Sequence, residues 1–272
     1  MLNLKQIGQG RTADIFEHQE DENMIIKLYK RSFPEDAINQ EFQISNLVYS
    51  LGINTPQPIE LIQLDHRKGI IFRRISGVSL LKIMGKSPLS INKHSRKLAT
   101  LHHNLHGHHV VGELRQQKNV LSNNIKSASA LTESEKNIII DYLEKLPHDN
   151  NRLCHGDYHP DNVMVGEENW IIDWMTGMYG NPAGDVARSV ILLSTGTMPN
   201  GTSKHINSVI NFLRDKLKKE YVRHYIELSG LDYADIDRWI LPVAAARLVE
   251  WMPKEEQEQL LKIIKERLRA VS

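Results

Sequence analysis

Short apolar runs separated by turn residues fill the first third of the sequence. These β-type runs cover residues 2–7, 12–19, 24–30, 59–64 and 70–72. One helical stripe interrupts them: it starts after Pro34, which suits a first helical turn, and it stops at Gly52. The order of these segments predicts a small antiparallel sheet with one helix inserted after the third strand.

Apolar positions at helical spacing dominate the rest of the sequence. The predicted helices cover residues 91–109, 132–146, 185–195, 204–229, 232–252 and 254–270. The helical period vanishes between Arg152 and Asp173, where two short apolar runs flank the turn residues 166–169 and predict a β-hairpin. We therefore expect an α+β fold, with an N-terminal lobe over residues 1–74 and a larger, mainly helical lobe over residues 75–272.

Composition narrows the class of protein but not its chemistry. The 272 residues are 40% hydrophobic and 25% charged, which is ordinary for a soluble globular protein. With 34 Lys and Arg against 33 Asp and Glu, the chain lacks the basic surplus of a nucleic-acid or membrane binder, so we expect neither partner. One cysteine and a start without an apolar signal segment favour a cytoplasmic protein.

The polar residues around the predicted hairpin are those that phosphoryl transfer needs. Asp157 is followed five residues later by Asn162, and Asp173 ends an apolar run eleven residues beyond that. One carboxylate can orient an attacking hydroxyl, while an amide and a second carboxylate can hold Mg²⁺ on the phosphates of ATP. The competing interpretation is a polar turn whose Asp and Asn side chains cap backbone groups.

The same stretch resembles a known family. The segment 155–162, His-Gly-Asp-Tyr-His-Pro-Asp-Asn, together with Ile172-Asp173-Trp174, looks like the aminoglycoside phosphotransferase and choline kinase family. The resemblance implies a two-lobed protein-kinase-like fold, ATP and Mg²⁺ as cofactors, and a small-molecule hydroxyl acceptor. It also implies that Asp157 is catalytic, that Asn162 and Asp173 bind the metal, and that His155 and His159 support the loop.

Other positions extend the resemblance over the first 190 residues. Gly8 and Gly10 resemble the glycine-rich loop, Lys27 the lysine of the third strand, and Glu41 its ion-pair partner. The hinge that meets adenine would be Phe72, Arg73, Arg74 and Ile75. His102 lies in a segment like the family's L-A-x-L-H helix, and Asp185 in one like its G-D-x-A motif, which buttresses the catalytic loop.

The sequence also departs from the protein-kinase pattern. Ala13 stands where the third glycine of the loop would be, and Gly156 stands where protein kinases have Arg. Asp173 and Asp185 are only twelve residues apart, which leaves no room for a phosphorylatable activation segment and a peptide-docking platform. The gap favours a small-molecule acceptor. A protein kinase and a catalytically weak nucleotide-binding regulator remain as alternatives.

The acceptor is the least determined part of the prediction. Carboxylates on the C-terminal helices could bind a cationic acceptor such as an amino sugar, an aminoglycoside or choline, with Glu250 and Trp251 as candidate contacts. Solvated helix faces and core aromatics explain these residues equally well. His102 and His106 share a helix face, but the family motif accounts for His102 better than a zinc site does. We expect a monomer or a weak homodimer.

Overall fold

A computed structural model describes residues 4–110, 114–147, 151–195 and 204–271. The strands are β1 (Gln6–Gln9), β2 (Ala13–Glu17), β3 (Met24–Tyr29), β4 (Pro58–Leu64), β5 (Arg67–Arg73), β6 (Val78–Ser79), β7 (Arg152–Cys154), β8 (Val163–Val165), β9 (Asn169–Ile171) and β10 (Met178–Gly180). The helices are α1 (Glu35–Ser50), α2 (Leu80–Lys86), α3 (Ile91–Leu105), α4 (Gln117–Ser127), α5 (Glu133–Lys145), α6 (Pro182–Thr195), α7 (Lys204–Ser229), α8 (Tyr233–Ala246) and α9 (Lys254–Val271). The predicted α+β class is confirmed.

The described chain forms two compact units. One contains the residues up to Ile83 together with Pro160–Gly177, and the other contains Met84–His159 and the residues from Met178 onward. The sequence prediction placed a single boundary between residues 74 and 75. The two units differ from this prediction because the N-terminal unit extends to Ile83 and also includes the later segment 160–177.

The N-terminal unit is built on an antiparallel sheet of five strands in the order β1-β2-β3-β5-β4. β3 lies in its centre, with Lys27 opposite Ile15 on one side and Ile70 on the other. α1 packs its buried residues, among them Ile38 and Val48, toward this sheet, because its apolar positions recur at helical spacing. A second, three-stranded sheet has the order β6-β8-β9.

The C-terminal unit is mainly helical, with a two-stranded ribbon of β7 and β10. α3 packs on α7, and α8 contacts α4, α5, α6 and α9. The predicted capping box at the start of α5 is present: Thr132 accepts a hydrogen bond from the backbone of Glu135, whose side chain accepts one from the backbone of Thr132. None of the helices in the described ranges is long and apolar enough to cross a membrane.

Several helices differ from the prediction, among them α2, which was not predicted. α3 ends at Leu105 rather than 109, because His106 caps it and Gly107 follows. α8 ends at Ala246 rather than 252, and a short 3-10 turn over Arg247–Val249 precedes α9. α4 was not predicted, because its sequence is mostly polar and its few apolar residues do not form a clear helical pattern.

Candidate active site

A partly buried ion pair joins β3 to α1 in the N-terminal unit. Lys27 Nζ lies 2.5 Å from Glu41 Oε1, and Tyr29 donates its hydroxyl proton to Glu41 Oε2 at 2.6 Å. Glu41 is only 1% exposed, so its charge is tolerable only because both oxygens have donors. Burial and the neighbouring Glu41 raise the pKa of Tyr29 well above its ordinary value, which keeps this hydroxyl a donor.

Asp173 brings a second carboxylate to the same lysine. Its Oδ1 lies 2.9 Å from Lys27 Nζ, and its backbone is left-handed, with φ of 67°. Burial alone would lower the pKa of Lys27, but the charges of Asp173 and Glu41 raise it above its ordinary value. Lys27 is therefore a permanent cation between two carboxylates.

A backbone hydrogen bond at the hairpin of β8 and β9 links Asn162 to the residue just before Asp173. The backbone N–H of Ile172 donates to the carbonyl of Asn162 at 3.0 Å. Trp174, on the other side of Asp173, is 1% exposed and donates its indole N–H to Thr55 at 3.0 Å. Fixed neighbours on both sides hold the left-handed residue in place.

Asn162 and Asp173 fit a magnesium site by their chemistry. Both supply oxygen ligands, an amide and a carboxylate, which are the ligands that Mg²⁺ prefers. Asp173 is 41% exposed, and Asn162 is buried in a 3-10 turn over Pro160–Asn162. Lys27, whose ammonium group is already oriented by Glu41 and Asp173, can bind phosphate oxygens next to such a metal ion.

The predicted glycine loop is the turn between β1 and β2. Gly8 lies in β1, and the N–H of Gly10 donates to the carbonyl of Ala13 at 2.8 Å, which closes a tight turn. A Cβ on Gly10 would lie 3.3 Å from that carbonyl oxygen. Ala13, in place of a third glycine, is 2% exposed and belongs to the core rather than to the turn.

The predicted hinge begins within the sheet. Phe72 is 7% exposed and lies opposite Ile25. The N–H of Arg73 donates to Gln57 and the N–H of Arg74 to Asn23, at 2.8 and 2.7 Å. These two amides are thus committed to the fold, so a bound base would have to use other groups of the segment 72–75.

Asp157 lies in the loop that follows β7, in the C-terminal unit. Gly156 before it has φ of 75°, and the N–H of Asp157 donates to His155 Nδ1 at 3.2 Å. Its Oδ2 lies 3.5 Å from His159 Nε2, and its Oδ1 accepts from Arg188 Nη2 at 3.4 Å. Burial alone would raise the pKa of Asp157, but the contact with His159 and the positive charge of Arg188 bring it well below its ordinary value.

Asp185, at the start of α6, ties this loop down. Its Oδ2 accepts from the backbone N–H of His155 at 2.6 Å, and its Oδ1 from that of Gly156 at 2.8 Å. The same Oδ2 lies 3.0 Å from His102 Nε2 and 3.2 Å from His106 Nε2. Burial alone would raise the pKa of Asp185, but these histidines bring it well below its ordinary value, so the group is a charged acceptor.

Two tyrosines complete the surroundings of the histidines. Tyr221 OH lies 2.6 Å from His102 Nδ1, and Tyr225 OH lies 2.6 Å from His106 Nδ1. Because Asp185 can only accept, each Nε2 carries the proton and each Nδ1 accepts from a tyrosine. Burial lowers the pKa of His102 to about 3, which agrees with a neutral ring. A metal ion at His102, His106 and Asp185 would have to displace these hydrogen bonds.

The comparisons with known proteins agree with this arrangement. The model of the phosphotransferase enzyme family matches residues 3–231, which is more than half of the chain. The chain belongs to this family. The predicted relationship to aminoglycoside phosphotransferases and choline kinases is confirmed, and with it the prediction of an enzyme, a small-molecule phosphotransferase. Among curated proteins, none has a sequence that matches this chain.

Solved structures of aminoglycoside phosphotransferases share the fold. A thermostable mutant of APH(4)-Ia, in ternary complex with ADP and hygromycin B, is 13% identical, with a TM-score of 0.62 over 99% of this chain and 93% of that one. The streptomycin and ATP complex of APH(2")-IIa is 15% identical, with a TM-score of 0.59 over 97% and 90%. The type VIII aminoglycoside-3'-phosphotransferase is 13% identical, with a TM-score of 0.61 over 89% and 93%.

Besides the tyrosines, the structure of this family member shows Arg188 as a residue that the sequence analysis missed. Arg188 contacts Asp157 and also donates to Glu250, so Glu250 is not a free carboxylate. Trp251, its neighbour in the predicted acceptor site, is 80% exposed. Arg188 follows Asp185 by three residues and so shares its helix face, and that spacing was the signal that could have revealed it.

Proposed function

We propose that the protein transfers the γ-phosphoryl group of ATP to a hydroxyl of a small amino alcohol or amino sugar. The observation that carries this proposal is the pairing of Lys27 with both Glu41 and Asp173, at 2.5 and 2.9 Å. A partly buried lysine between two carboxylates is oriented and permanently charged, as phosphate binding requires. The complexes with ADP or ATP among the solved relatives support a nucleotide donor.

The candidate site residues of the N-terminal unit each have a role in this proposal. Lys27 binds the phosphates of the nucleotide, and Glu41 keeps Lys27 in place. Asn162 and Asp173 hold Mg²⁺, which supplies positive charge to the phosphate oxygens when it is bound. The tight turn at Gly10 lets backbone approach the phosphates closely.

Asp157 has the part of orienting the acceptor. Its carboxylate stays ionised because its pKa is far below its ordinary value. It can therefore accept a hydrogen bond from the substrate hydroxyl over the whole physiological pH range and receive the proton as the oxygen is phosphorylated. The backbone contacts of His155 and Gly156 with Asp185 keep the loop in one conformation.

The carboxylates that were candidates for acceptor binding are mostly engaged within the protein. Asp232 and Asp235 form the capping box of α8, and Asp237 pairs with Arg267 at 2.6 Å. Glu250 and Glu256 each contact an arginine. In the part of the chain that the structure describes, few of these candidate carboxylates are left for an acceptor with many ammonium groups. This favours an acceptor with one ammonium group over a polycationic aminoglycoside.

The proposal is tested by ATP consumption with a panel of acceptors. The panel contains amino alcohols, single amino sugars, polycationic aminoglycosides and neutral polyols, and phosphate on the acceptor is identified by mass. We expect turnover with an amino alcohol or amino sugar. Asp157→Asn should lower kcat at least a hundredfold while nucleotide affinity stays within twofold of wild type.

Asp141→Asn on the exposed face of α5 is the matched control, and it should keep wild-type turnover. Tight nucleotide binding without turnover on any acceptor would contradict the enzymatic proposal and favour a regulator. Phosphate found on protein instead of the small molecules would favour a protein kinase.

A further inference from the structure

The guanidinium of Arg188 lies between two carboxylates in the C-terminal unit. Its Nη2 donates to Asp157 Oδ1 at 3.4 Å, and its Nη1 donates to Glu250 Oε1. The side chain is only 13% exposed, and its Nε is buried without a partner among the described residues. A cation so buried is stable only where anions compensate it, which makes this pairing specific.

The contacts continue as a row of alternating charges. Glu250 Oε2 accepts from Arg247 Nε at 3.1 Å, and Arg247 Nη2 donates to Glu256 Oε1 at 2.9 Å. We call Asp157, Arg188, Glu250, Arg247 and Glu256 the charge row. Arg247 and Glu256 are 4% and 7% exposed, so this end of the row is rigid. It connects α6 to the junction of α8 and α9.

The two oxygens of Asp157 have different neighbours. His159 contacts Oδ2 at 3.5 Å, and Arg188 contacts Oδ1 at 3.4 Å. Contacts on both oxygens restrict the rotation of a carboxylate about its last bond more than contacts on one oxygen do. The N–H of Asp157 also donates to His155 Nδ1, a contact that fixes the backbone of the loop.

We propose that Arg188 is a positioning residue of the transfer reaction. It orients the Asp157 carboxylate toward the acceptor hydroxyl, and Glu250 with Arg247 holds Arg188 in the geometry that this needs. The inference rests on the proposed function. It gives Glu250 a place behind the catalytic carboxylate instead of a direct contact with the acceptor. Small errors in the placement of a reacting group reduce rates strongly, so such a residue should affect kcat more than binding.

The experiment measures kcat and the KM for ATP in Arg188→Gln and Arg188→Lys, with the best acceptor of the panel. We expect Arg188→Gln to lower kcat about ten- to a hundredfold while the KM for ATP stays within twofold. Arg188→Lys should recover part of kcat, because it keeps the charge but not the planar fork. Arg223→Gln, an arginine on α7 that also pairs with two carboxylates, is the matched control and should match wild type.

Two further variants separate positioning from folding. In an Asp157→Asn background, Arg188→Gln should cause no further loss of residual turnover, because it acts through that carboxylate. Glu250→Gln keeps the Arg188 side chain but removes the charge that holds it in place, and it should lower kcat several-fold even if Arg188→Gln does not fold. The inference is wrong if kcat in Arg188→Gln or Glu250→Gln stays above half of wild type.

It is equally wrong if Lys is no better than Gln at position 188, or if the effects of the two substitutions at 157 and 188 simply multiply. A wild-type enzyme that turns over no acceptor would overturn the proposed function itself and this inference with it. Wild-type turnover together with an inert Arg188 would overturn the inference alone.

Discussion

Tyr29 determines how well Glu41 is held for Lys27. Its hydroxyl is the donor to Glu41 Oε2, and the ring lies 5.4 Å from Lys27 Nζ. Tyr29→Phe leaves a buried carboxylate oxygen without this donor, which should cost about 1–3 kcal/mol of the free energy of unfolding. We also expect a higher KM for ATP with little change in kcat. Denaturant unfolding and steady-state kinetics measure both, and unchanged stability would show that Oε2 finds another donor.

His102 should make the stability of the protein depend on pH. Its pKa is about 3 in the folded chain and near 6.5 when unfolded. As the pH falls below 6.5, the unfolded chain binds a proton that the native protein does not. Stability is therefore lost progressively between pH 6.5 and about 3, by up to about 1.4 kcal/mol per pH unit.

The check is a comparison of unfolding free energies at pH 4.5 and 6 in wild type and His102→Gln. Gln can donate to Asp185 and accept from Tyr221 but does not titrate, so its pH slope should be smaller than that of wild type. His109→Gln, at an exposed position, should keep the wild-type slope. Equal slopes in all three proteins would mean that His102 is not the group responsible.

The Lys27–Glu41 ion pair and the contacts of Asp185 with the loop after β7 were predictable from sequence, because family motifs mark both. The roles of Asp157, Asn162 and Asp173 stay predictions. Asp157, Asn162 and Asp173 lie within one short stretch, and Lys27 and Glu41 lie on neighbouring elements. Arg188 was marked only by its spacing from Asp185, and the two tyrosines were not predictable from any local motif. Tyr221 and Tyr225 each lie 119 residues from their histidine, so their pairing depends on how α3 and α7 pack and not on spacing.

At the scale of elements, the packing of α6 depends on a glycine. A Cβ on Gly184 would lie 2.8 Å from the ring of Trp239 and 2.7 Å from Gln117 Nε2, both closer than real contacts allow. Gly184→Ala should therefore lower the free energy of unfolding by about 1–3 kcal/mol. Gly85→Ala, in α2, meets no atom within 4 Å and should raise it by about 0.5–1 kcal/mol. Thermal unfolding of the two variants tests whether their stabilities change in opposite directions.

Elements were predictable where their apolar pattern was strong. The sheet of the N-terminal unit and the capping box of α5 follow directly from sequence. α4 did not, because it buries Gln117 and Lys118 along with Leu121. Gln117 accepts a hydrogen bond from the backbone of Asn181, so this buried polar residue is satisfied by tertiary structure that no local pattern reveals.

At the scale of the whole molecule, bound nucleotide should stabilise the fold. A ligand at a hundred times its Kd adds about 2.7 kcal/mol, so Mg·ATP should raise Tm by several degrees. Asp173→Asn should lose most of this shift, and wild type should lose most of it when Mg²⁺ is chelated. Asp65→Asn is a close control, because Asp65 also has a left-handed backbone but lies in the exposed turn between β4 and β5. An equal rise in Tm with Mg·ATP in both variants would show that Asp173 does not bind the metal.

The return of residues 160–177 to the N-terminal unit has a consequence for how the chain is made. When a ribosome has released the residues up to Ile83, all five strands of the large sheet are present, but β8, β9 and Asp173 are not. The nascent chain must then carry the first unit unfinished while residues 84–159 of the second emerge. For the same reason, a gene cut anywhere within that stretch yields a first fragment with Lys27 and Glu41 but without Asp173, the second carboxylate that pairs with Lys27. Two halves made separately would have to exchange a segment before either unit was whole.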